Sequence, residues 1–275
     1  MCYFTHDPET RKEQIKFLVL PGVLRDEYIR ARLALEEARW GAATRDSAGG
    51  QPNPRKLTWG FIPQTPGHVV GSGYESIRSK PTLEQPWLAH GLKPLVKKMN
   101  ACLAEYLPVY YPRALDHALH AEQRDDVKED DWTRNPTFGM PDMPDSVGIV
   151  KGIDGTWPGH IYTLWNTVFS TLELNNHILF KAHEDAHNVK GDLICIAALG
   201  DWARGRLIFP RYGYGADLGR CDLLICDNAN ELHGNIGPLV GAKGRGRFSV
   251  VAFMHSHILD FANRAGHWRA KGVAE

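Results

Sequence analysis

Along Arg247–His255 the odd positions are Arg247, Ser249, Val251, Phe253 and His255, while the even positions Phe248, Val250, Ala252 and Met254 are wholly apolar. Successive side chains of a strand point to opposite faces, so this segment presents one apolar face and one mixed face. The apolar face must pack against other elements, and the N-terminal helices are its expected partners. A half-exposed strand would show Lys, Glu or Thr on its second face. Arg, Ser, Phe and His together fit the lining of a barrel pocket instead.

Shorter β-type runs precede it at Val168–Leu172, Leu193–Leu199, Leu207–Phe209 and Leu223–Cys226, with glycine-bearing turns between them. Several short strands with Gly-rich turns predict an antiparallel sandwich or jelly-roll barrel. The N-terminal part reads differently. Phe17–Leu20 is a short strand stopped at Pro21-Gly22, and Leu24, Tyr28, Ala31, Leu35 and Ala38 keep helical spacing. Residues 41–56 lose periodicity and read as a loop. A second helix is predicted over roughly 83–107 on the stripe Leu88, Leu92, Leu95, Met99, Leu103 and Tyr106, with Pro86 near its first turn and Pro94 kinking or breaking it. The expected fold class is α+β, a double-stranded β-helix (jelly-roll) core with N-terminal supporting helices. One domain over 1–275 is expected, with helical support over 1–119, an acidic irregular insertion over 120–160, the core over 161–258 and a C-terminal helix over 259–275.

The composition, 43% hydrophobic and 23% charged over 275 residues, suffices for a sizeable core. No run approaches a membrane-spanning length, and Met1–Asp7 lacks the basic and apolar regions of a secretory leader. The five cysteines are odd in number and without framework spacing, so buried thiols in a reducing, intracellular setting are expected.

His183 and Asp185 form an HxD, and in an extended strand residues two apart point the same way. Alone the motif is weak; two solvated polar residues at a strand end would look the same. His233 lies 48 residues beyond Asp185, just after the run Leu223–Cys226, where a sheet could return it to the HxD. Two His and one carboxylate leave three cis positions of an octahedron open, the ligand set of non-haem Fe(II) oxygenases. Zinc hydrolysis is the rival, but no HExxH or Cys-rich pattern supports it. Arg247 follows His233 by 14 residues and Ser249 by 16. A planar guanidinium is a natural partner for a carboxylate beside a metal, which fits a 2-oxoglutarate cosubstrate.

At these residues the sequence resembles the TET/JBP family of Fe(II)- and 2-oxoglutarate-dependent nucleic-acid dioxygenases. The resemblance covers roughly 165–257 and is most specific in His183-Glu184-Asp185-Ala186-His187-Asn188, similar to the family's HxDxHN, with further matches at Leu232-His233 and Arg247–His255. It implies iron on His183, Asp185 and His233, and 2-oxoglutarate on Arg247 and Ser249. It also implies a flipped base read by Asn188 and His255 at its edge and by Phe253 as a stacking surface. The implied activity is oxidation of the 5-methyl group of 5-methylcytosine in methylated double-stranded DNA, to hydroxymethyl and further. The implied form is a compact fungal or protist one, without the cysteine-rich zinc region of the animal enzymes. A monomer is expected, nuclear if the source is a eukaryote. The chain departs from the family pattern at Arg206, where a second Gly is usual, and at Cys221-Asp222, where Gly-Asp is common. Both positions touch turns more than chemistry.

Other readings stay open at this point. The same chemistry could act on N6-methyladenine, thymine or methylated RNA. A prolyl-hydroxylase-like protein oxygenase has similar iron and Arg spacing, and a DNA-binding module could retain a vestigial barrel.

The formal net charge is zero, 32 bases against 32 acids, but the segments differ. Residues 39–98 carry nine bases against three acids, and 241–275 six against two. Between 120 and 145 eight acids face three bases. The basic segments are expected to flank the pocket mouth and contact phosphates, giving salt-sensitive binding.

Overall fold

The computed structural model describes residues 2–6, 13–40, 55–64, 75–122, 163–165, 167–178, 180–200, 206–236 and 247–259. The N-terminal half supplies strands β1 (Cys2–His6), β2 (Glu13–Leu20), β3 (Lys56–Gln64) and β4 (Glu75–Arg78), and helices α1 (Arg25–Glu37), α2 (Lys80–Glu84), α3 (Leu88–Tyr106) and α4 (Tyr111–Glu122). The C-terminal half supplies β5 (Thr171–Asn176), β6 (Ile194–Gly200), β7 (Arg206–Phe209), β8 (Tyr214–Ala216), β9 (Leu223–Cys226), β10 (Gly234–Ile236) and β11 (Arg247–Phe253). They form an eight-stranded sheet in the order β1-β2-β9-β6-β11-β5-β3-β4 and a three-stranded sheet in the order β10-β7-β8, with antiparallel pairing throughout.

Strand β11 lies near the centre of the large sheet, between β5 and β6, and its two faces part as its alternation requires. Phe248, Val250, Ala252 and Met254 join one buried cluster with Leu35 of α1 and Leu92, Leu95 and Met99 of α3. Val251 and Phe253 turn to the other side, where Ile194, Ile196, Leu207, Phe209 and Leu218 form a second cluster between the two sheets. Every residue of β6 is buried, which is why Ile194–Gly200 reads as an unbroken apolar run. The helical layer sits close. Gly91 of α3 meets α1 so tightly that a Cβ there would stand 2.5 Å from the Ala34 Cβ and 2.7 Å from the Arg30 carbonyl oxygen.

The division into N-terminal helices and a C-terminal β core does not hold. Four of the eight strands in the large sheet come from residues before 79. Strand β3 pairs with β5 and buries Leu57, Trp59 and Phe61, an alternation partly masked in the sequence by Gly60 and Pro63. Gly60 takes φ +108°, and a Cβ there would lie 2.6 Å from the Ser170 carbonyl oxygen, so the strand bends where only glycine fits. The single helix read over 83–107 is two, separated at Gln85–Trp87. Pro94 does not break α3: the buried side chains of Leu92, Leu95, Val96 and Met99 hold the helix through the lost hydrogen bond. Of the acidic insertion read over 120–160, residues 120–122 close α4 and 123–160 lie outside the described residues. Of the loop read over 41–56, Lys56 opens β3 and 41–54 lie outside them, as does the C-terminal segment beyond 259. No described helix is long and apolar enough to cross a membrane. Cys102, Cys195 and Cys226 are buried free thiols, and Cys221 is a half-buried one.

Of the two departures from the family pattern, Cys221-Asp222 falls in a turn and Arg206 at a strand end. Arg206 opens β7, exposed and paired with Asp217 at 2.7 Å. Cys221 takes φ +67°, and Asp222 accepts hydrogen bonds from the Gly22 and Gly219 amides, both at 2.8 Å, tying the turn to the start of α1.

Candidate functional site

A cavity of about 250 Å³ opens against the mixed face of β11, lined by Arg247, Ser249, Val251, Phe253 and His255 together. Thus the odd-numbered residues of β11 and His255 just beyond it all reach the cavity. His183, Asp185 and Asn188 line the same cavity from the segment after β5, and His233 lines it from the turn before β10.

His183 and His233 are brought together by backbone. Each donates its N–H to the other's carbonyl, at 2.8 and 2.9 Å, forming an isolated antiparallel bridge. His183 Nε2 lies 3.4 Å from one Asp185 carboxylate oxygen and His233 Nε2 lies 3.6 Å from the other. Ligand atoms of the three residues all fall within 4.8 Å of one another. Each imidazole uses its far nitrogen on a carbonyl: His183 Nδ1 donates to Lys181 O at 2.7 Å, and His233 Nδ1 donates to Glu231 O at 2.9 Å. Those bonds keep the proton on Nδ1, so each neutral ring offers its Nε2 lone pair on the carboxylate side, the tautomer a metal requires. Only a protonated His183 donates Nε2–H to Asp185. Burial pushes the Asp185 carboxyl up, but the His183 hydrogen bond and the charge of His233 outweigh it and leave it below its ordinary range. Its hydrogen bond to Asp185 holds His183 above the usual imidazole value, whereas burial holds His233 below it.

Asn228 was not legible in the sequence. Its side-chain amide donates to Asp185 Oδ2 at 3.2 Å and reaches His233 Nε2 at 3.1 Å, while Cys226 Sγ donates to its Oδ1 at 2.8 Å. It follows β9 by two residues, and only the placement of that strand beside the HxD reveals its part.

At the other end, Arg247 is 7% exposed and burial pulls its guanidinium down to about 10. A buried cation draws an anion to it. Across the sheet Ser249 pairs with Asn175 of β5, whose side-chain Nδ2 donates to Ser249 Oγ at 3.3 Å. Asn175 is 3% exposed, lines the cavity, and its Oδ1 has no hydrogen-bond partner. The Asn175 amide thus fixes the Ser249 oxygen through its donor end and leaves its own carbonyl oxygen unsatisfied. Lys56 of β3 and Glu173 of β5 complete this wall as an ion pair at 2.7 Å.

The third group stands where the segment after Asp185 meets the end of β11. Asn188 and His255 face each other in an isolated bridge, and both are buried. Asn188 Nδ2 donates to Asp185 Oδ2 at 3.4 Å. His255 is pulled down to about 3, by burial first and then by His187 and His257. Its Nδ1 accepts the His257 N–H at 3.3 Å, so the neutral ring carries its proton on Nε2. Phe253 stands 6.1 Å from it, centroid to centroid.

Of the basic segments, Arg45, Lys243, Arg245, Arg264, Arg269 and Lys271 lie outside the described residues, and Arg247 lines the cavity. Among the described residues, Lys56 lines the cavity, but Lys93, Lys97 and Lys98 stand on α3, in the helical layer against the opposite face of the sheet. Net charge counted along the chain carries no information about which face a residue occupies.

The donor set fits an Fe(II) and 2-oxoglutarate pair. Two imidazoles that turn Nε2 toward one carboxylate suit iron, and the buried guanidinium with the Ser249 hydroxyl suits a dicarboxylate.

No protein-family model matches the sequence, and no curated protein matches it significantly. Among solved structures, NgTET1 in complex with 5mC DNA superposes with a TM-score of 0.56 at 14% identity, covering 93% of this chain and 77% of that one. The truncated collagen prolyl hydroxylase vCPH of Paramecium Bursaria Chlorella virus-1 matches 30% of this chain and 54% of its own, at 10% identity and a TM-score of 0.24, too little to argue from. The mixed helical and antiparallel-sheet architecture described here is thus similar to the fold of NgTET1.

Proposed function

We propose that this protein is an Fe(II)- and 2-oxoglutarate-dependent dioxygenase that oxidises the 5-methyl group of 5-methylcytosine in DNA, with the nucleotide flipped into the cavity. The observation that carries this reading is the convergence of His183, Asp185 and His233, of Arg247 and Ser249, and of Asn188, Phe253 and His255 on one cavity. Similarity to the fold of a protein solved with 5mC DNA supports it.

Bound there, Fe(II) and 2-oxoglutarate supply the oxidising power to hydroxylate a carbon–hydrogen bond, with O2 consumed and succinate and CO2 released. The chain's own residues bind and orient. His183, Asp185 and His233 would hold the metal and leave cis positions open. Arg247 and Ser249 would hold the far carboxylate of the cosubstrate, the guanidinium by its planar fork.

The base edge is read by polarity. Nε2–H of His255 is a donor, and Asn188, donating to Asp185, keeps its Oδ1 as an acceptor. Cytosine presents the complement, an exocyclic amine beside a ring-nitrogen acceptor, whereas thymine presents the reverse order. Phe253 would supply the stacking face. Adenine shares the cytosine order, so N6-methyladenine is the second reading that this observation favours. If the source is a eukaryote, a DNA substrate implies the nucleus.

The test is turnover. Supplied with Fe(II), the protein should convert 2-oxoglutarate to succinate faster when methylated duplex is present. The double variant His183→Ala, Asp185→Ala should lose both activities; unchanged turnover in it would sink the metal assignment.

A further inference from the structure

We infer that Lys16 is a positioning residue for the metal centre, acting through the turn Asp227–Glu231; the inference rests on the metal reading given above. Lys16 lies on β2, far from the HxD in sequence and only 8% exposed. Its ammonium stands 3.3 Å from Asp227 Oδ2 and 2.9 Å from Glu231 Oε1. Those carboxylates belong to residues 7% and 1% exposed. They are the two ends of one turn, closed by the Glu231 amide donating to Asp227 O at 3.1 Å. The Lys16 carbonyl accepts from the Asp227 amide at 3.0 Å, and the Asn230 side chain donates to Asp227 Oδ1 at 2.9 Å.

This turn delivers two pieces of the candidate centre. Asn228, beside Asp227, donates to the Asp185 carboxylate. Glu231 offers the carbonyl that takes the Nδ1 proton of His233 and so sets its ring. One ammonium therefore bridges both ends of the segment that orients a carboxylate ligand and an imidazole ligand. Arg211 approaches Glu231 only at 3.9 Å, from an exposed side chain, so Lys16 is the near cation.

A buried ion pair adds little stability over well-packed apolar side chains of the same volume. Stability alone is thus a poor account of three charged groups buried here. Geometry is a better one: without the ammonium, the Asp227 and Glu231 carboxylates repel each other and the turn splays. Asn228 then draws away from Asp185 and the His233 ring loses its fixed carbonyl.

The test uses Co(II) as the probe, titrated into the full chain and followed by its visible absorption, which reports the ligand set. Lys16→Met should weaken Co(II) binding about tenfold or more and alter the band, in the range found for partners of metal ligands. Lys16→Arg keeps the charge and should stay within about threefold of the wild type, with its spectrum. Leu92→Ala, which weakens the helical layer without touching the turn, should bind as the wild type does. Wild-type affinity and spectrum in Lys16→Met would overturn the inference, as would an equal loss in Leu92→Ala. If Lys16→Met does not fold, Glu231→Gln removes the closer half of the clamp at nearly constant volume and is judged by the same criteria. A wild type that takes up no Co(II), or binds it equally well as Asp185→Ala, ends the metal reading and the clamp together. Failure confined to the Lys16 variants ends the clamp alone.

Discussion

His183 and His233 are held to each other by two backbone hydrogen bonds of 2.8 and 2.9 Å, so their rings, 4.4 Å apart at the centroids, are placed by main chain rather than by side-chain packing. The neighbouring residue enforces this closeness. A Cβ on Gly234 would stand 3.0 Å from the Ala182 amide nitrogen and Cα. Gly234→Val should therefore force the two segments apart and weaken metal uptake about tenfold, an effect comparable to loss of a ligand's supporting partner. Metal titration with a parallel melting curve checks it; an unchanged affinity would show that the bridge tolerates the wedge.

Arg247 tests the cosubstrate pocket by shape rather than by charge. Arg247→Lys keeps the cation but loses the planar fork, and should raise the KM for 2-oxoglutarate by about 10- to 100-fold, the worth of a charge-assisted hydrogen bond. Succinate formation measured against 2-oxoglutarate concentration gives the answer.

Asn175 should trade stability against binding. Replacing it with Leu removes a buried amide whose Oδ1 has no partner, so the melting temperature should hold or rise slightly. The KM for 2-oxoglutarate should rise about fivefold, because the donor that orients the Ser249 hydroxyl is lost. A variant that melts markedly lower but binds 2-oxoglutarate normally would make Asn175 a structural residue only.

Gly91 tests the helical layer. Alanine is the better helix former by about 1 kcal/mol, yet its Cβ would meet Ala34 and the Arg30 carbonyl of α1. Overpacking costs of about 1–3 kcal/mol should dominate, so Gly91→Ala should lower the unfolding free energy in a denaturant titration.

How much was readable from the residues depended on whether the signal was local. The two faces of β11 were legible because period-two alternation is written along one segment, and cavity and helices divide it as read. His183 and Asp185 also meet, at 3.4 Å, but in a segment outside any strand, where His183 is held by its bridge to His233. Strand β3 was hidden because Gly60 and Pro63 interrupt its pattern, though Leu57, Trp59 and Phe61 are all buried. Asn175, Asn228 and Lys16 have no signature of their own. They matter only through cross-strand register: Asn175 beside Ser249, Asn228 beside Asp185, Lys16 under the turn before His233. The α3 lysines misled for the converse reason, since their charge was counted without knowing their face.

The account stands most directly on nucleoside mass spectrometry of a mixed panel of duplexes carrying 5-methylcytosine, N6-methyladenine or thymine, incubated with the protein, Fe(II) and 2-oxoglutarate. It predicts loss of 5-methylcytosine with matching gain of 5-hydroxymethylcytosine and succinate, absent in His183→Ala, Asp185→Ala, and the other bases untouched. Intact 5-methylcytosine alongside oxidation of another base, or no oxidised nucleoside while 2-oxoglutarate is consumed, would contradict it.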